Sequence, residues 1–486
     1  MRVARYFLLS LFVLATSASA QSPADEALRD FDFVVDSLRT DYAGFPDKTA
    51  GDKLATFEAD VVRYRALVAE HPDKLFDTMW DLLGWFKDGH LAFDSGPSQP
   101  PPAPPSADEA AKERTLAETG RFVPIEEGTA KKIKALRVPQ GIWETLDGTY
   151  RVAVVPDPEN RTQFVGIILA SLAPSWTPGQ VKFNLTQSPD GKWQSTFRFR
   201  NHDEKQGEAR FQAKASLMEF DSISSLWKRI WPEPAVTIDR IVPSKDFFLR
   251  ALSPETLWLR LPNFKNGNRE TIEKLLSENS QKLATTPNLL IDLRNNSGGS
   301  DASYAELMKW ICSRSIYSIG VEFRVSKRNA DLYETLANAP DFPESFRPMI
   351  NSLVSNMRVQ PTAKWATTGE RPFSIQTCPD IRANPRRVAI IITGAGSSGD
   401  QFVLDARQSR KVTTFGGNSA GIIDYSNQLQ TLTPSGKYLF KWSSSRSMRL
   451  PDEPIDGVGI APDIRVAAET DDPVGYVQQW LEKQVG

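Results

Sequence analysis

The stretch RRVAIIITGAGSSGDQFVLDAR runs an apolar, strand-like segment into a Gly/Ser-rich bend and on into a helix-like segment, with Ser397 and Ser398 adjacent at the bend. A hydroxyl placed there is exposed beside backbone N–H groups that the first turn of a helix leaves without internal acceptors. That is a setting for a nucleophile. The plainer alternative is a tight turn permitted by Gly394, Gly396 and Gly399, with a serine capping the helix. A second bend, in LLIDLRNNSGGS, puts Gly298 and Gly299 just past another strand-like run. Two such bends can aim N–H donors from separate strands at one oxygen, which is what stabilising a tetrahedral acyl intermediate requires.

A serine hydroxyl needs a base to take its proton. The chain has three histidines, His71, His90 and His202, and two cysteines, Cys312 and Cys378. A metal centre built on several imidazoles or on a cysteine cluster is therefore not expected, and any catalytic imidazole is one of three. From sequence, a Cys312–Cys378 disulfide and two buried thiols are equally open.

The elements that must position these residues follow from periodicity. Apolar residues recur at intervals of three and four in DEALRDFDFVVDSLRTDY, KLATFEADVVRYRALVAE and KLFDTMWDLLGWFKDGHLAF, which predicts an N-terminal helical unit over 21–95. Proline-rich text makes 96–140 a linker and connection. Alternation in TYRVAVVP, QFVGIILASL and QVKFNLTQ predicts an antiparallel β-meander over 141–230, most economically closed as a barrel or sandwich. From 235 to 486, strand-like and helix-like runs alternate as in an α/β layer fold, with an insertion or lid at about 329–385.

Length and charge narrow the class further. The 486 residues suffice for two or three domains, and a net charge of −2 argues against nucleic acid or an acidic membrane surface as a main partner. The first twenty residues, MRVARYFLLSLFVLATSASA, join two arginines, an apolar run and a small-residue A-x-A ending. They read as a secretory signal peptide, so the mature chain is expected to begin near Gln21, soluble and outside the cytoplasm, with the periplasm as its compartment. No later run reaches the ~18 apolar residues of a membrane span.

The motifs NLLIDLRNNSGG, GAGSSGDQF, VTTFGGNSAG and IDGVGIAPDI occur in the order, and at roughly the spacing, of the tail-specific or C-terminal-processing proteases, the serine peptidases of family S41. The resemblance covers about Phe247 to Val466. It implies a crotonase/ClpP-like ββα core, and FFLRALSPETLWLRLPNF matches the strand pair that opens it. The family's nucleophile lies three residues before an acidic residue. Asp400 takes that place, so the resemblance makes Ser397 the nucleophile and gives the Ser398 N–H, with Gly298 and Gly299, to the oxyanion hole.

The lysine base of the Ser/Lys branch would fall at Ile422, which cannot take a proton. The tricorn-like and interphotoreceptor-retinoid-binding-protein-like branch instead uses a histidine, and KDGHLAF matches its Asp-x-His segment at His90. IDGVGIAPDI places Asp456 where that branch has a glutamate to orient the imidazole, and Gly89 stands where it has a supporting serine. The family's usual peptide-binding PDZ module is absent, and the meander resembles the lipocalin-like β-domain of some bacterial relatives.

The expectation is thus a secreted serine endopeptidase acting on peptide or protein substrates through Ser397, His90 and Asp456, without metal or cofactor. Two alternatives stand beside it: a catalytically silent relative binding peptides or apolar ligands in the meander, and an esterase of the same fold. Oligomeric state is not legible. His71 and His202 are expected to be solvated, Asp292 and Arg294 to hold a strand end, and the tryptophans of SWTPGQ and SSLWKRIWPEP to serve packing.

Overall fold

The computed structural model describes residues 22–97, 106–124, 138–340, 342–369 and 372–483. The expected signal peptide and much of the proline-rich linker lie outside these residues. No described helix is long and apolar enough to cross a membrane. The chain divides into two compact units, one formed by residues up to 99 with 322–368 and 427–446, the other by 100–321, 369–426 and 447–486.

In the second unit a six-stranded sheet runs in the order Phe248–Ser253, Thr256–Arg260, Asn288–Asp292, Arg387–Ile391, Val412–Gly416 and Ile464–Arg465. The first two strands are antiparallel and the rest parallel. The parallel strands Thr256–Arg260 and Asn288–Asp292 are buried at every position, so both faces of the sheet must be covered by apolar elements. Leu289, Ile291 and Leu293 point to one face and pack with Leu276, Leu307 and Phe402 of helices. Leu290 points to the other and meets Val474, Val477 and Leu481 of the helix Pro473–Lys483. The alternation is the strand's two-residue period. Arg294 bonds Asp292 at 2.7 Å and the carbonyls of Asp239, Arg240 and Ile241, which is the strand-end role expected of that pair.

The same unit contains a closed barrel of eight sequential antiparallel strands from Gly141–Thr145 to Ser225–Trp231, joined first to last by Ile142↔Trp231 and Thr145↔Trp227. Closure leaves no free edge. Its interior is filled by Trp143, Trp227, Phe183, Phe220 and Met218. His202 departs from the solvated role expected of it. Its ring stacks on Trp176 with centroids 4.0 Å apart, and Nε2 lies 2.8 Å from the Ser175 carbonyl, because the turn after the Trp193–Arg198 strand folds against the barrel. The connection before the barrel contains a helix, Ala107–Glu118, started by a capping box in which Ser106 and Glu109 satisfy each other's N–H groups.

The first unit departs from the helical module expected over 21–95. Helices Pro23–Thr40, Lys53–Glu70 and Leu75–Gly84 are present, and Phe31, Val34, Val35 and Leu38 form a buried stripe on the first. The strand Ala92–Ser95, however, needs a ladder partner, and Tyr438–Ser447 supplies it with register Phe93↔Phe440. Val321–Arg324 and Trp365–Ala366 extend that sheet, and Tyr425–Leu432 pairs with Tyr438–Ser447. Most of the segment expected to be an insertion, including helices Lys327–Asn338 and Arg347–Val359, therefore folds with the N-terminal helices.

Candidate active site

Strands Asn288–Asp292 and Arg387–Ile391 are parallel neighbours, with Asp292 opposite Ile391, so the two glycine bends that follow them leave the same end of the sheet. They are stitched together by Asn295 N–H to Thr393 O at 2.9 Å and Gly396 N–H to Asn296 O at 2.8 Å. The end of a parallel strand is where open α/β sheets collect functional groups.

Ser397 adopts φ +57° and ψ −121°, a backbone region that a residue with a Cβ enters at a cost of about 1–3 kcal/mol. Helix Ser398–Ala406 starts immediately after it. What holds the strained turn is Asp400, a buried carboxylate whose Oδ2 accepts the N–H of Ser397 at 2.9 Å and that of Ile422 at 2.9 Å, while Oδ1 accepts Gly421 N–H at 3.3 Å. Burial pushes the Asp400 carboxyl above its ordinary value, and hydrogen bonds from Ser419 and these amides pull it back. Further along the helix, Asp405 accepts the Tyr304 hydroxyl at 2.9 Å and the Ser318 hydroxyl at 2.8 Å, which fixes the helix in the layer.

Gly298 lies at φ +73°, and a Cβ on it would stand 2.6 Å from Ser397 Cβ and 2.7 Å from the Gly396 carbonyl. Gly299 approaches Phe264 so closely that a Cβ would meet its carbonyl carbon at 2.2 Å. These positions need glycine. The Gly298 N–H donates to Asn296 Oδ1 at 2.8 Å. Among the described residues no acceptor is found for the N–H groups of Gly299 and Ser398. Gly298, expected as an oxyanion donor, therefore commits its N–H to shaping the bend. Asn296, which also donates to the Leu261 carbonyl at 2.9 Å, is a shaping residue that the spacing of the Gly pair did not reveal.

The Ile422 side chain packs beside Gly396, its Cδ1 3.4 Å from where a Cβ would stand, so residue 422 meets the turn before Ser397 with an apolar group. Asp456 Oδ1 accepts the N–H groups of Ile423 at 2.7 Å and Asp424 at 2.8 Å. Asp424 returns the arrangement, its Oδ2 accepting Ile455 N–H at 2.7 Å and Asp456 N–H at 2.8 Å, with Arg449 3.3 Å from Oδ1. The two carboxylates thus brace one loop against the other. Nothing in the spacing marks Asp424, because its partner is 32 residues away.

His90 belongs to the first unit. Its N–H donates to Asp88 Oδ1 at 2.8 Å, its Nδ1 lies 3.8 Å from the same oxygen, and its carbonyl accepts Gln428 Nε2 at 2.6 Å. His71 is a largely exposed helix-end residue 3.9 Å from Glu70. Cys312 and Cys378 form a disulfide with Cα atoms 6.1 Å apart, inside the usual range.

Residues 255–466 match the profile of Peptidase family S41. Among solved structures, mature CPAF is similar over 96% of this chain and 99% of its own, at 13% identity and a TM-score of 0.51, a likeness that speaks for the fold. The photosystem II D1 C-terminal processing protease matches over 93% of this chain and 94% of its own at 11% identity and TM-score 0.36. The tricorn protease matches over 95% of this chain and 37% of its own at 13% identity and TM-score 0.41. Among curated proteins none matches by sequence. The two glycine bends and the Ser397 turn lie inside the matched segment, so the chain carries a peptidase family S41 domain over residues 255–466.

Proposed function

We propose that the protein is an exported serine endopeptidase that cleaves peptide or protein substrates through an acyl-enzyme. Ser397 Oγ attacks the scissile carbonyl while His90 takes its proton. The oxyanion is received by the N–H groups of Gly299 and Ser398. His90 then delivers the proton to the leaving amine, and water repeats the sequence to release the acid. Asp456 orients the imidazole and supports its positive charge. The observation that carries this reading is the left-handed backbone of Ser397 at the head of a buried helix, held by Asp400. A strained serine at a strand-to-helix turn is how a nucleophile is kept exposed beside oxyanion donors. Export is supported by the N-terminal segment and by the Cys312–Cys378 disulfide, which persists in oxidising compartments. The aromatic filling of the barrel weighs against a ligand-binding barrel as the working part.

The test is turnover of a peptide by His90→Ala and Asp456→Asn. The first is expected to lose about three or more decades in kcat. Asp456→Asn keeps an acceptor for the amides of Ile423 and Asp424, so it is expected to fold and to lose about two to four decades. Wild-type turnover by His90→Ala would remove the histidine mechanism.

A further inference from the structure

The buried groups around His90 within its own unit remain unused by the mechanism so far. Asp88 lies two residues before it, with a side chain that has no exposed surface. A buried carboxylate is costly unless its oxygens are satisfied. Here they are. Oδ1 accepts the His90 N–H at 2.8 Å, and Oδ2 accepts the Tyr42 hydroxyl at 2.9 Å and the Ser443 hydroxyl at 3.1 Å. The three donors come from different places: the loop carrying His90, the end of the first helix, and the strand Tyr438–Ser447. Tyr42 and Ser443 are themselves fully buried, and Ala43 N–H donates to the Ser443 carbonyl at 2.9 Å, so the two braces are fixed to each other.

Asp88 therefore stands at a rigid crossing point and reaches from it to the main chain of His90. The other side of the same residue is held by Gln428, which donates to the His90 carbonyl at 2.6 Å. A general base must be placed to a few tenths of an ångström, and a misplacement of 1 Å can cost about a hundredfold. The 3.8 Å between His90 Nδ1 and Asp88 Oδ1 is too long for a hydrogen bond but sets a negative charge beside the imidazole.

We infer that Asp88 is a positioning residue for His90, clamping its backbone amide from a site braced by Tyr42 and Ser443 and placing a second carboxylate charge beside the ring. The inference rests on the reading of His90 as the base. Its place in the sequence, in the Asp-x-His of KDGHLAF, is then a functional spacing: an Asp two residues before another residue can accept that residue's N–H and fix the turn.

Two variants separate the clamp from mere folding. Asp88→Asn keeps an oxygen acceptor for His90 N–H, and its amide can donate to the Tyr42 and Ser443 oxygens, so the geometry is retained and only the charge is lost. Asp88→Ala removes the clamp and orphans both hydroxyls. On the full-length protein, kcat and KM for one peptide would be measured for Asp88→Ala, Asp88→Asn and His90→Ala, with unfolding midpoints alongside. The expected result is a kcat lower by about a hundredfold in Asp88→Ala with KM within twofold. In Asp88→Asn most of that loss should be recovered, to within about tenfold of wild type. If Asp88→Ala is unfolded, the Asn variant with Ser443→Ala, which loosens one brace, is expected to show the same kcat-only loss in smaller measure. An inactive His90→Ala beside a wild-type kcat in the Asp88 and Ser443 variants would overturn the clamp alone. A fully active His90→Ala would overturn the base reading and the clamp with it.

Discussion

Lys182 lies inside the barrel with 1% of its surface exposed, its Nζ 4.1 Å from the Tyr150 ring centroid, 4.0 Å from that of Trp176 and 5.1 Å from that of Phe197. Burial, helped by the positive charge of Arg198, lowers its pKa from 10.5 to about 7. At 1.36 kcal/mol per pH unit that fall corresponds to a penalty of about 5 kcal/mol on the charged form. The shift is a net quantity that already contains what the rings return to the cation, so a charged lysine is held there at about that cost. Lys182→Met retains a flexible apolar chain of similar length and is expected to stabilise the protein by that amount near pH 6.5. The sign with pH is fixed: between pH 7 and 10.5 the unfolded lysine holds a proton that the folded one has released, so wild-type stability rises with pH there. The advantage of the variant should accordingly fade to about 1.4 kcal/mol by pH 9.5, one unit below the unfolded value. Urea unfolding followed by tryptophan fluorescence at the two pH values measures both numbers. A variant less stable than wild type, or an advantage independent of pH, would refute the account of Lys182 as a charge held at a cost among the barrel's aromatic rings.

Gly298→Ala puts a Cβ 2.6 Å from Ser397 Cβ and is expected to cost about two to three decades in kcat, read by steady-state turnover. Ile422→Lys in a His90→Ala background should restore no activity, since the side chain at 422 packs on the glycine turn at Gly396; any recovery above the His90→Ala rate contradicts this. Cys312→Ser with Cys378→Ser opens a loop of 66 residues and is expected to lower stability by about 4 kcal/mol in urea unfolding. Labelling of the nucleophile by a fluorophosphonate should survive that change at low denaturant.

What was legible in the sequence was whatever local pattern dictates. The barrel could be read from alternation because each of its strands pairs with the next in the chain, and the core could be read from runs such as NLLIDL, apolar on both faces. The five-stranded sheet was not legible, because Phe93 pairs with Phe440 across most of the chain and no period records such a partner. The same limit applied at the site. Gly298 and Gly299 announce a bend, but that the first spends its N–H on Asn296 depends on a side-chain rotamer. Asp456 was found only by resemblance, and its counterpart Asp424 was not found at all, since two loops must meet before either carboxylate has an amide to accept. His202 misled because polar neighbours hide the tryptophan it stacks on.

The central claim is that Ser397, and not its neighbour, is the nucleophile. It is tested most directly by treating wild type, Ser397→Ala and Ser398→Ala with a fluorophosphonate probe and mapping the modified residue by mass spectrometry. The account expects one adduct, on Ser397, in wild type, none in Ser397→Ala, and measurable labelling in Ser398→Ala, where the backbone N–H is kept and only the hydroxyl is lost. An adduct on Ser398, or labelling that survives in Ser397→Ala, would contradict it.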